Sequence, residues 1–381
     1  MLTKKIIYTS LVLTLLFSNS LLVKAETIQI SSPIQQQQTR LIRPISKNTV
    51  RLLVVIVNPV HVDILSITNE EVRDIIFGKV DSLKTFYKEN SEGVLDVVGD
   101  VVGPFQISYP PTFTGNLNVH VVDPYVDLRN YDHVLLISTL SGTCTGYASG
   151  YAPQDTITDE GVLNLAVAMT TGQCVKDFRD KTKNATILHE FGHTVGFGHT
   201  SAWLPNPRVK CLNTIPLENV VGNSECYSPY GGGTVMGTGS SDLNNAQRKM
   251  LINSFGDGLF ELPSLSINEN GDYWVHWFKD NADRAYYEEL KIPAGNGYFS
   301  VEFRKNTPPV VDQEKIFINF VSNERLISAI PAGNYMDTVL VKAPAFSLQN
   351  INDTYEDVTR NFSVRVLSME ENRAQLRIEV E

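Results

Sequence analysis

The feature that most constrains the fold is the spacing of three histidines in the segment HEFGHTVGFGH, which runs from His189 to His199. On an α-helix, His189 and His193 lie one turn apart, so both imidazoles project from the same face. Gly196 follows, and a glycine can take a positive φ that turns the chain sharply out of a helix. That turn would bring His199 round towards the first two rings. The segment therefore predicts a helix ending in a tight turn, with three imidazoles converging on one point.

Converging imidazoles with this spacing indicate a metal site. Three neutral nitrogen ligands and an open fourth position are typical of a catalytic zinc, whereas a structural zinc has four protein ligands. Glu190 directly follows the first ligand, where its carboxylate can act as a general base on a metal-activated water. We therefore predict one Zn²⁺ held by His189, His193 and His199, with Glu190 as the catalytic residue. This chemistry indicates hydrolysis of a protein or peptide substrate.

A second segment downstream, YGGGTVMG from Tyr230 to Gly237, supports the first. It matches a Met-turn, so we expect Met236 to pack beneath the metal ligands. Tyr227 and Tyr230 are candidates for an additional oxyanion donor, although packing is the interpretation we favour for each. Structural or surface roles are predicted for the histidines that stand apart from the motif, which are His61, His120, His133 and His276.

Taken together, these motifs resemble those of the metzincin clan of zinc metallopeptidases and, within that clan, the gametolysin family. The family-level likeness extends to Ser91–Gly93, Tyr131–Val134, Cys144–Ala148, Leu290–Pro293, Tyr298 and Glu302–Arg304. The chain departs from the family at Gly231, where an acidic residue is common. The resemblance implies a zinc-dependent endopeptidase with a metzincin-like catalytic domain.

The fold class predicted for residues 48–255 is α+β, a zincin-like domain with a mixed sheet and an active-site helix. Its strands are predicted at Val50–Val57, Leu95–Val98, Tyr131–Ile137 and Val162–Met169. Thr68 and Glu71 form a capping-box pattern that starts a helix reaching about Tyr87. A second helix is predicted over about Lys181 to Val195.

Residues 256–381 have a different sequence pattern, in which short strand-like segments are separated by Gly, Pro, Asn and Asp. This pattern predicts an all-β, sandwich-like C-terminal domain. The seven strands expected are Trp274–Phe278, Tyr286–Ile292, Tyr298–Phe303, Ile316–Phe320, Val339–Val341, Phe362–Val366 and Leu376–Val380.

The N-terminus has the pattern of a cleavable signal peptide over residues 1–25. Lys4 and Lys5 precede an apolar run, and Val23 and Ala25 are suitably small residues at the −3 and −1 positions of a cleavage site. The apolar run is shorter than the roughly 20 residues that span a bilayer, so no membrane span is expected. Residues 26–47 are predicted to be a flexible leader or a short pro-segment. We therefore expect a protein secreted to the extracellular space or the periplasm.

Four cysteines, Cys144, Cys174, Cys211 and Cys226, fit an oxidising compartment, where an even number indicates disulfides. Four cysteines allow three pairings, and sequence order favours Cys144–Cys174 and Cys211–Cys226. The formal net charge of −10, without a cluster of cations, argues against nucleic acid as a partner.

Two other classes of function stay open at this level. One is a catalytically silent adhesin or binding protein on a metallopeptidase scaffold, although such a protein would be expected to lose Glu190 or a ligand. The other is a purely structural zinc domain, which a fourth protein ligand would establish. For the C-terminal domain, the sequence leaves open binding to protein, binding to carbohydrate, or support of the catalytic domain.

Overall fold

The computed structural model of the protein describes residues 48–60, 63–107, 119, 122–148, 154–179, 185–197, 202–203, 227–228, 234–236, 242–243, 245–256, 261–280, 286–295, 297–304, 315–322, 346–348, 350–357 and 360–381. All of these residues belong to one unit, Thr39–Glu381. The predicted signal peptide and leader, together with His61 and His120, lie outside the described residues.

The described N-terminal part is built on a mixed sheet. Its strands are β1 (Thr49–Pro59), β2 (Asp96–Ile107), β3 (His133–Ser138), β4 (Gly146–Ala148), β5 (Gln154–Thr158) and β6 (Gly161–Thr171). The strand order is β2-β1-β3-β6-β4, and β5 also pairs with β6. The first four strands of this order run parallel, whereas β4 and β5 run antiparallel to β6. The four strands predicted for this part are confirmed, so the α+β class is correct.

Strand β1 is buried on both faces, as its continuous run of branched residues indicates. Leu52 and Val54 enter the core that lies beneath the helices. Leu53 and Val55 enter a second core on the opposite face, which is closed by the loop around Val122. The sheet is therefore covered on one side by helices and on the other by irregular chain.

Five helices are present in the described residues: α1 (Asn69–Phe77), α2 (Leu83–Asn90), α3 (Gly172–Asp177), α4 (Thr186–Thr194) and α5 (Asn245–Phe255). Short 3-10 turns lie at Asp123–Tyr125, Leu128–Asn130 and Phe278–Asp280. Helix α4 confirms the helix predicted over about Lys181 to Val195, of which Lys181–Asn184 lie outside the described part. Among the described helices, none combines the length and the hydropathy that a membrane crossing requires.

The prediction of one continuous helix from Thr68 to Tyr87 is wrong. The Thr68 capping box is present at the start of α1, but that helix ends before Gly78, whose backbone is extended at ψ 165°. Ser82 then caps α2 with a second capping box. Val80, which the helical stripe would have buried, lies in the break and is 69% exposed. Local capping thus overrides an apolar period that runs across the break.

Two short strands, β7 (Ala202–Trp203) and β8 (Tyr227–Ser228), pair antiparallel between the two parts of the chain. Two sheets form the described C-terminal part. Their strands are β9 (Ser264–Ser266), β10 (Gly271–His276), β11 (Glu289–Ala294), β12 (Gly297–Arg304), β13 (Lys315–Ser322), β14 (Phe346–Leu348), β15 (Thr354–Asp357), β16 (Phe362–Glu370) and β17 (Arg373–Val380). One sheet has the order β10-β17-β16-β15, and the other has the order β14-β13-β12-β11-β9. Neighbouring strands are antiparallel, except that β9 pairs with β11 in parallel.

Residues of both sheets share one core, so the sheets pack face to face as a sandwich requires. Val364 and Tyr355 come from one sheet, and Phe299 and Ile318 from the other. The predicted strand at Val339–Val341 lies outside the described residues. Strands β9, β14 and β15 were not predicted, because three or four residues are too few to show an alternating pattern. The domain boundary at residue 255 stays a prediction.

A buried ion pair joins α5 to both the N-terminal part and the sandwich. Arg248 has a fully buried side chain, and its two terminal nitrogens lie 2.9 Å from carboxylate oxygens of Glu92 and Glu288. Its guanidinium stacks on Phe278 at 3.6 Å from the ring centroid. Buried pairs of this kind add little net stability, but removing one partner is costly because it leaves a buried charge without compensation.

One disulfide lies in the described part of the chain, and it joins Cys144 to Cys174. This disulfide is one of the two that the sequence predicts, and it joins the segment just before β4 to helix α3. Cys211 and Cys226 lie outside the described residues, so their pairing stays a prediction. A cross-link here constrains the approach to β4, the strand at the edge of the sheet.

His133 connects the sheet to the end of α4. It lies fully buried on β3, and its Nε2 is 3.0 Å from the carbonyl oxygen of Thr194. Its Nδ1 has no hydrogen-bond partner among the described residues. Burial lowers the pKa of His133 to about 4, so the folded protein holds this imidazole neutral. This is a structural role, as expected for an isolated histidine.

The lowered pKa of His133 predicts acid sensitivity. Because the pKa in the folded state lies below the ordinary 6.5, stability is full above pH 6.5 and falls as the pH approaches 4. The loss attributable to this group is on the order of 3 kcal/mol. We expect His133→Gln to reduce the change in unfolding free energy between pH 7 and pH 5, measured by urea unfolding of metal-free protein.

His276→Gln is the matched control, because His276 is only half-buried, on β10 of the sandwich. That variant should keep most of the wild-type pH dependence. An unchanged pH dependence in His133→Gln would contradict the assignment.

Candidate metal centre

Two of the three predicted metal ligands lie side by side on α4. The Nε2 atoms of His189 and His193 are 3.0 Å apart, and the ring planes are nearly perpendicular at 88°. His193 is almost completely buried, and His189 is partly exposed at the open side of the helix. The spacing of one helical turn therefore places both rings as the sequence predicts.

Each of these rings is oriented by a backbone carbonyl. Nδ1 of His189 lies 2.8 Å from the carbonyl oxygen of Val235, and Nδ1 of His193 lies 2.6 Å from that of Phe197. A carbonyl oxygen only accepts, so each Nδ1 carries the proton and donates it. In the neutral form of each ring, Nε2 then presents a lone pair towards the other ring. Metal-binding histidines show this arrangement, in which the second ring nitrogen donates to a carbonyl or carboxylate.

Two facing lone pairs repel each other unless positive charge lies between them. A zinc ion bound by neutral imidazoles through Nε2 meets that requirement, so His189 and His193 fit zinc in tautomer, orientation and proximity. Burial also lowers the pKa of His189, which keeps its imidazole in the neutral form that binds a metal.

The turn after α4 is a Schellman motif with glycine at its left-handed position. Gly196 has φ 104°. Its N–H donates to the carbonyl of His193 at 3.0 Å, and the N–H of Phe197 donates to that of Gly192 at 2.9 Å. The carbonyl of Phe197 in turn accepts from Nδ1 of His193. The same turn that ends the helix therefore also orients a ligand.

The third predicted ligand, His199, lies outside the described residues. Within the part of the chain that the structure describes, no group of three or more His, Cys, Asp or Glu side chains is gathered for a metal ion. The described part thus contains two of the three predicted ligands, and the ligand role of all three stays a prediction.

Glu190 lies buried against the edge of the sheet. Strand β4 passes so close that a Cβ added to Gly146 would overlap the Cγ of Glu190 and lie 2.7 Å from its Oε1. Burial raises the pKa of Glu190 to about 8. A cation bound beside this carboxylate would favour its ionised form. The site therefore contains a desolvated carboxyl group of the kind that serves as a general base.

Met236 packs beneath α4, where the sequence predicts it. It is completely buried, and a Cβ on Gly192 would overlap its sulfur. The same Cβ would lie 2.8 Å from the hydroxyl of Tyr87, which donates to the carbonyl of Leu188 at 2.7 Å. The middle of α4 therefore rests directly on a methionine and a tyrosine, and only glycine leaves room for both.

Sequence reasoning missed three residues of this site: Tyr87, Gly146 and Gly192. Gly192 is one of the variable positions of the motif, and its need for glycine comes from packing that the motif does not encode. Tyr87 and Gly146 lie far from α4 in sequence, and no local pattern marks them. The other predicted positions, Tyr230 and the side chain of Tyr227, lie outside what the structure describes.

The chain matches no protein-family model, and no curated protein matches its sequence.

The close packing at Gly192 predicts that adding a methyl group at this position lowers the stability of the fold. Gly192→Ala would overpack a buried contact, which costs about 1–3 kcal/mol and outweighs the gain of about 1 kcal/mol in helix propensity. We expect a net loss of stability, measured by urea unfolding.

The double variant Gly192→Ala/Met236→Ala tests whether Met236 is the cause. Met236→Ala alone should cost about 2–5 kcal/mol through the cavity that it leaves. Because that cavity accommodates the new methyl group, the double variant should be less destabilised than the sum of the single variants. Additive losses would show that the two positions do not compete for space.

Proposed function

We propose that the protein is a secreted zinc-dependent endopeptidase, with His189, His193 and His199 as zinc ligands and Glu190 as the general base. One observation carries the proposal: the Nε2 atoms of His189 and His193 lie 3.0 Å apart, while both Nδ1 atoms lie within hydrogen-bond distance of backbone carbonyl oxygens. Glu190, the residue after His189, adds a buried carboxyl group that can serve as the general base of metal-assisted hydrolysis.

In the proposed hydrolysis, zinc, Glu190 and two backbone carbonyls have separate roles. When bound, zinc activates a water as a nucleophile near neutral pH and polarises the substrate carbonyl. Glu190 takes the proton of the attacking water at its carboxylate and passes it to the departing amine nitrogen. The carbonyls of Val235 and Phe197 hold His189 and His193 in one tautomer throughout.

A peptide substrate fits the edge of the sheet beside Glu190. Strand β4 ends the strand order, so no other described strand pairs with its outer side. An extended peptide can add to such an edge through main-chain hydrogen bonds. Gly146, on that strand, is in contact with Glu190, so a peptide bound there would lie next to the candidate general base.

The proposed compartment rests on the signal-peptide pattern and on the Cys144–Cys174 disulfide. Disulfides persist in oxidising compartments such as the extracellular space and the periplasm. The catalytically silent adhesin is the alternative, and the retained, buried Glu190 favours the enzyme. Binding of protein or carbohydrate by the C-terminal sandwich stays a proposal that no described contact favours.

Glu190→Gln tests the general base. The amide keeps the shape of the side chain but cannot accept the proton, so we expect a loss of hydrolysis of about 10²-fold or more. Zinc content should be unchanged, because the ligands are untouched. The measurements are cleavage of a peptide library, with and without a chelator, and metal analysis of the purified protein.

Glu70→Gln is the control, since Glu70 is exposed in the first turn of α1. It should cleave peptides like the wild type. Full activity in Glu190→Gln would overturn the role of this residue, and wild-type protein without zinc or cleavage would support the silent scaffold.

Gly146→Ala tests the contact between the edge strand and the carboxylate. Its new Cβ would force Glu190 out of place, and a misplacement of about 1 Å can cost about 10²-fold in rate. We expect activity to fall while zinc content and the folded far-UV circular dichroism spectrum persist.

Ser141→Ala, at an exposed position of the segment before β4, is the control and should keep wild-type activity. Wild-type rates in Gly146→Ala would mean that Glu190 tolerates displacement and is not held by β4.

A further inference from the structure

A loop and a hairpin turn, on the side of the sheet away from α1 and α2, are tied together by two carboxylates. The loop is residues 122–130, and the turn is residues 158–161 between β5 and β6. Asp123 in the loop accepts a hydrogen bond from the N–H of Asp159 at 2.8 Å through Oδ2. Glu160 in the turn accepts one from the N–H of Leu128 at 3.1 Å through Oε1. In each segment, therefore, one carboxylate accepts a hydrogen bond from a backbone N–H of the other segment.

Both carboxylates keep a second oxygen buried. Asp123 is only 6% exposed. No other group of the described residues donates a hydrogen bond to its Oδ1 or to the Oε2 of Glu160, and the two carboxyl groups lie close enough to interact with each other. Buried oxygens that carry negative charge are costly without a partner, because they have lost water and gained no other contact in its place.

The surroundings add to this negative charge. The loop and the turn contain four carboxylates, including Asp127 and Asp159, and one guanidinium, Arg129. Arg129 is already engaged by Asp127, with nitrogen to oxygen distances of 2.8 and 2.7 Å. Burial raises the pKa of Asp123, the hydrogen bond from the N–H of Asp159 lowers it, and the charges of Glu160 and Asp159 and the contact with the Glu160 carboxyl raise it further.

We propose that Asp123 Oδ1 and Glu160 Oε2 are ligands of a divalent cation of the calcium type, which pins loop 122–130 to turn 158–161. Calcium takes six to eight oxygen ligands in irregular geometry, from carboxylates, backbone carbonyls and water. Two buried carboxylate oxygens between a loop and a turn match that preference. The other ligands would be carbonyl oxygens and water, because the described residues hold no third acidic ligand in metal-binding geometry.

This site is separate from the candidate zinc centre in both position and chemistry. Its ligands are hard oxygens, whereas zinc in the candidate centre would be held by imidazoles. Neither the proposal nor its test depends on the proposed peptidase activity.

The test uses terbium, a hard cation that replaces calcium and luminesces when a nearby tyrosine is excited. Tyr125 lies two residues from Asp123. We expect tyrosine-sensitised terbium luminescence from the full chain and its displacement by calcium, with an affinity in the range of about 10⁻⁴ to 10⁻³ M found for extracellular modules. Asp123→Asn and Glu160→Gln should each weaken calcium binding by about tenfold or more, because each removes one ligand charge.

Glu356→Gln is the matched control, because Glu356 is an exposed carboxylate on β15 of the sandwich, and it should bind calcium like the wild type. Wild-type affinity in both Asp123→Asn and Glu160→Gln, or luminescence that calcium does not displace, would overturn the proposal.

If the variants do not fold, hydrogen exchange on the wild-type protein tests whether calcium binds between the loop and the turn. Calcium should slow amide exchange in peptides covering residues 122–130 and 158–161 and leave the sandwich strands unchanged. Exchange unaffected by calcium in those two segments would mean that the two carboxyl groups share a proton instead of a cation.

Discussion

The candidate site depends on how closely the middle of α4 approaches the chain beneath it. Gly192 has no side chain, so Met236 and the hydroxyl of Tyr87 can reach the helix backbone. This depth of packing brings Val235 within hydrogen-bond distance of His189. If the helix stood farther from this layer, the ring of His189 would lose the carbonyl that sets its tautomer. A backbone packing constraint therefore determines which nitrogen of a side chain is available to a metal.

Helix α4 is held at its C-terminal end by two different devices. The glycine turn satisfies the last carbonyls and supplies the carbonyl of Phe197 to His193. His133, on β3, reaches the carbonyl of Thr194 from the opposite side. In both cases a buried imidazole nitrogen lies within hydrogen-bond distance of a backbone carbonyl oxygen, so these polar groups are paired inside the core. Helix α4, which carries two of the predicted ligands, is thus joined to the sheet at the end where the third predicted ligand follows.

The edge of the sheet and the helix meet at one contact, between Gly146 and Glu190. Strand β4 is short, and the Cys144–Cys174 disulfide lies immediately before it. Strand β4 is therefore constrained in two ways, by the disulfide that precedes it and by the packing of Gly146 against Glu190. For a carboxylate proposed as a general base, such support limits movement of the group relative to any substrate on the strand.

Several features of the fold followed from sequence alone because their causes are local. The branched run of β1 predicts a strand buried on both faces, and the spacing of His189, His193 and Gly196 predicts a helix and its turn. The single helix predicted through Gly78 was wrong, because an apolar period does not register a second capping box at Ser82. The three shortest sandwich strands gave too little pattern to recognise.

By itself, therefore, the sequence determined the class of fold, the helix that carries the two imidazoles and the chemistry expected of them. Only the tertiary structure decided which nitrogen each imidazole presents, because the carbonyl that orients His189 lies 46 residues away. It also decided that Gly146 lies against Glu190, that Gly192 lies against Met236 and Tyr87, and that Asp123 lies beside Glu160. Such requirements arise where segments distant in the chain are pressed together, and a sequence records the residues but not the contacts between them.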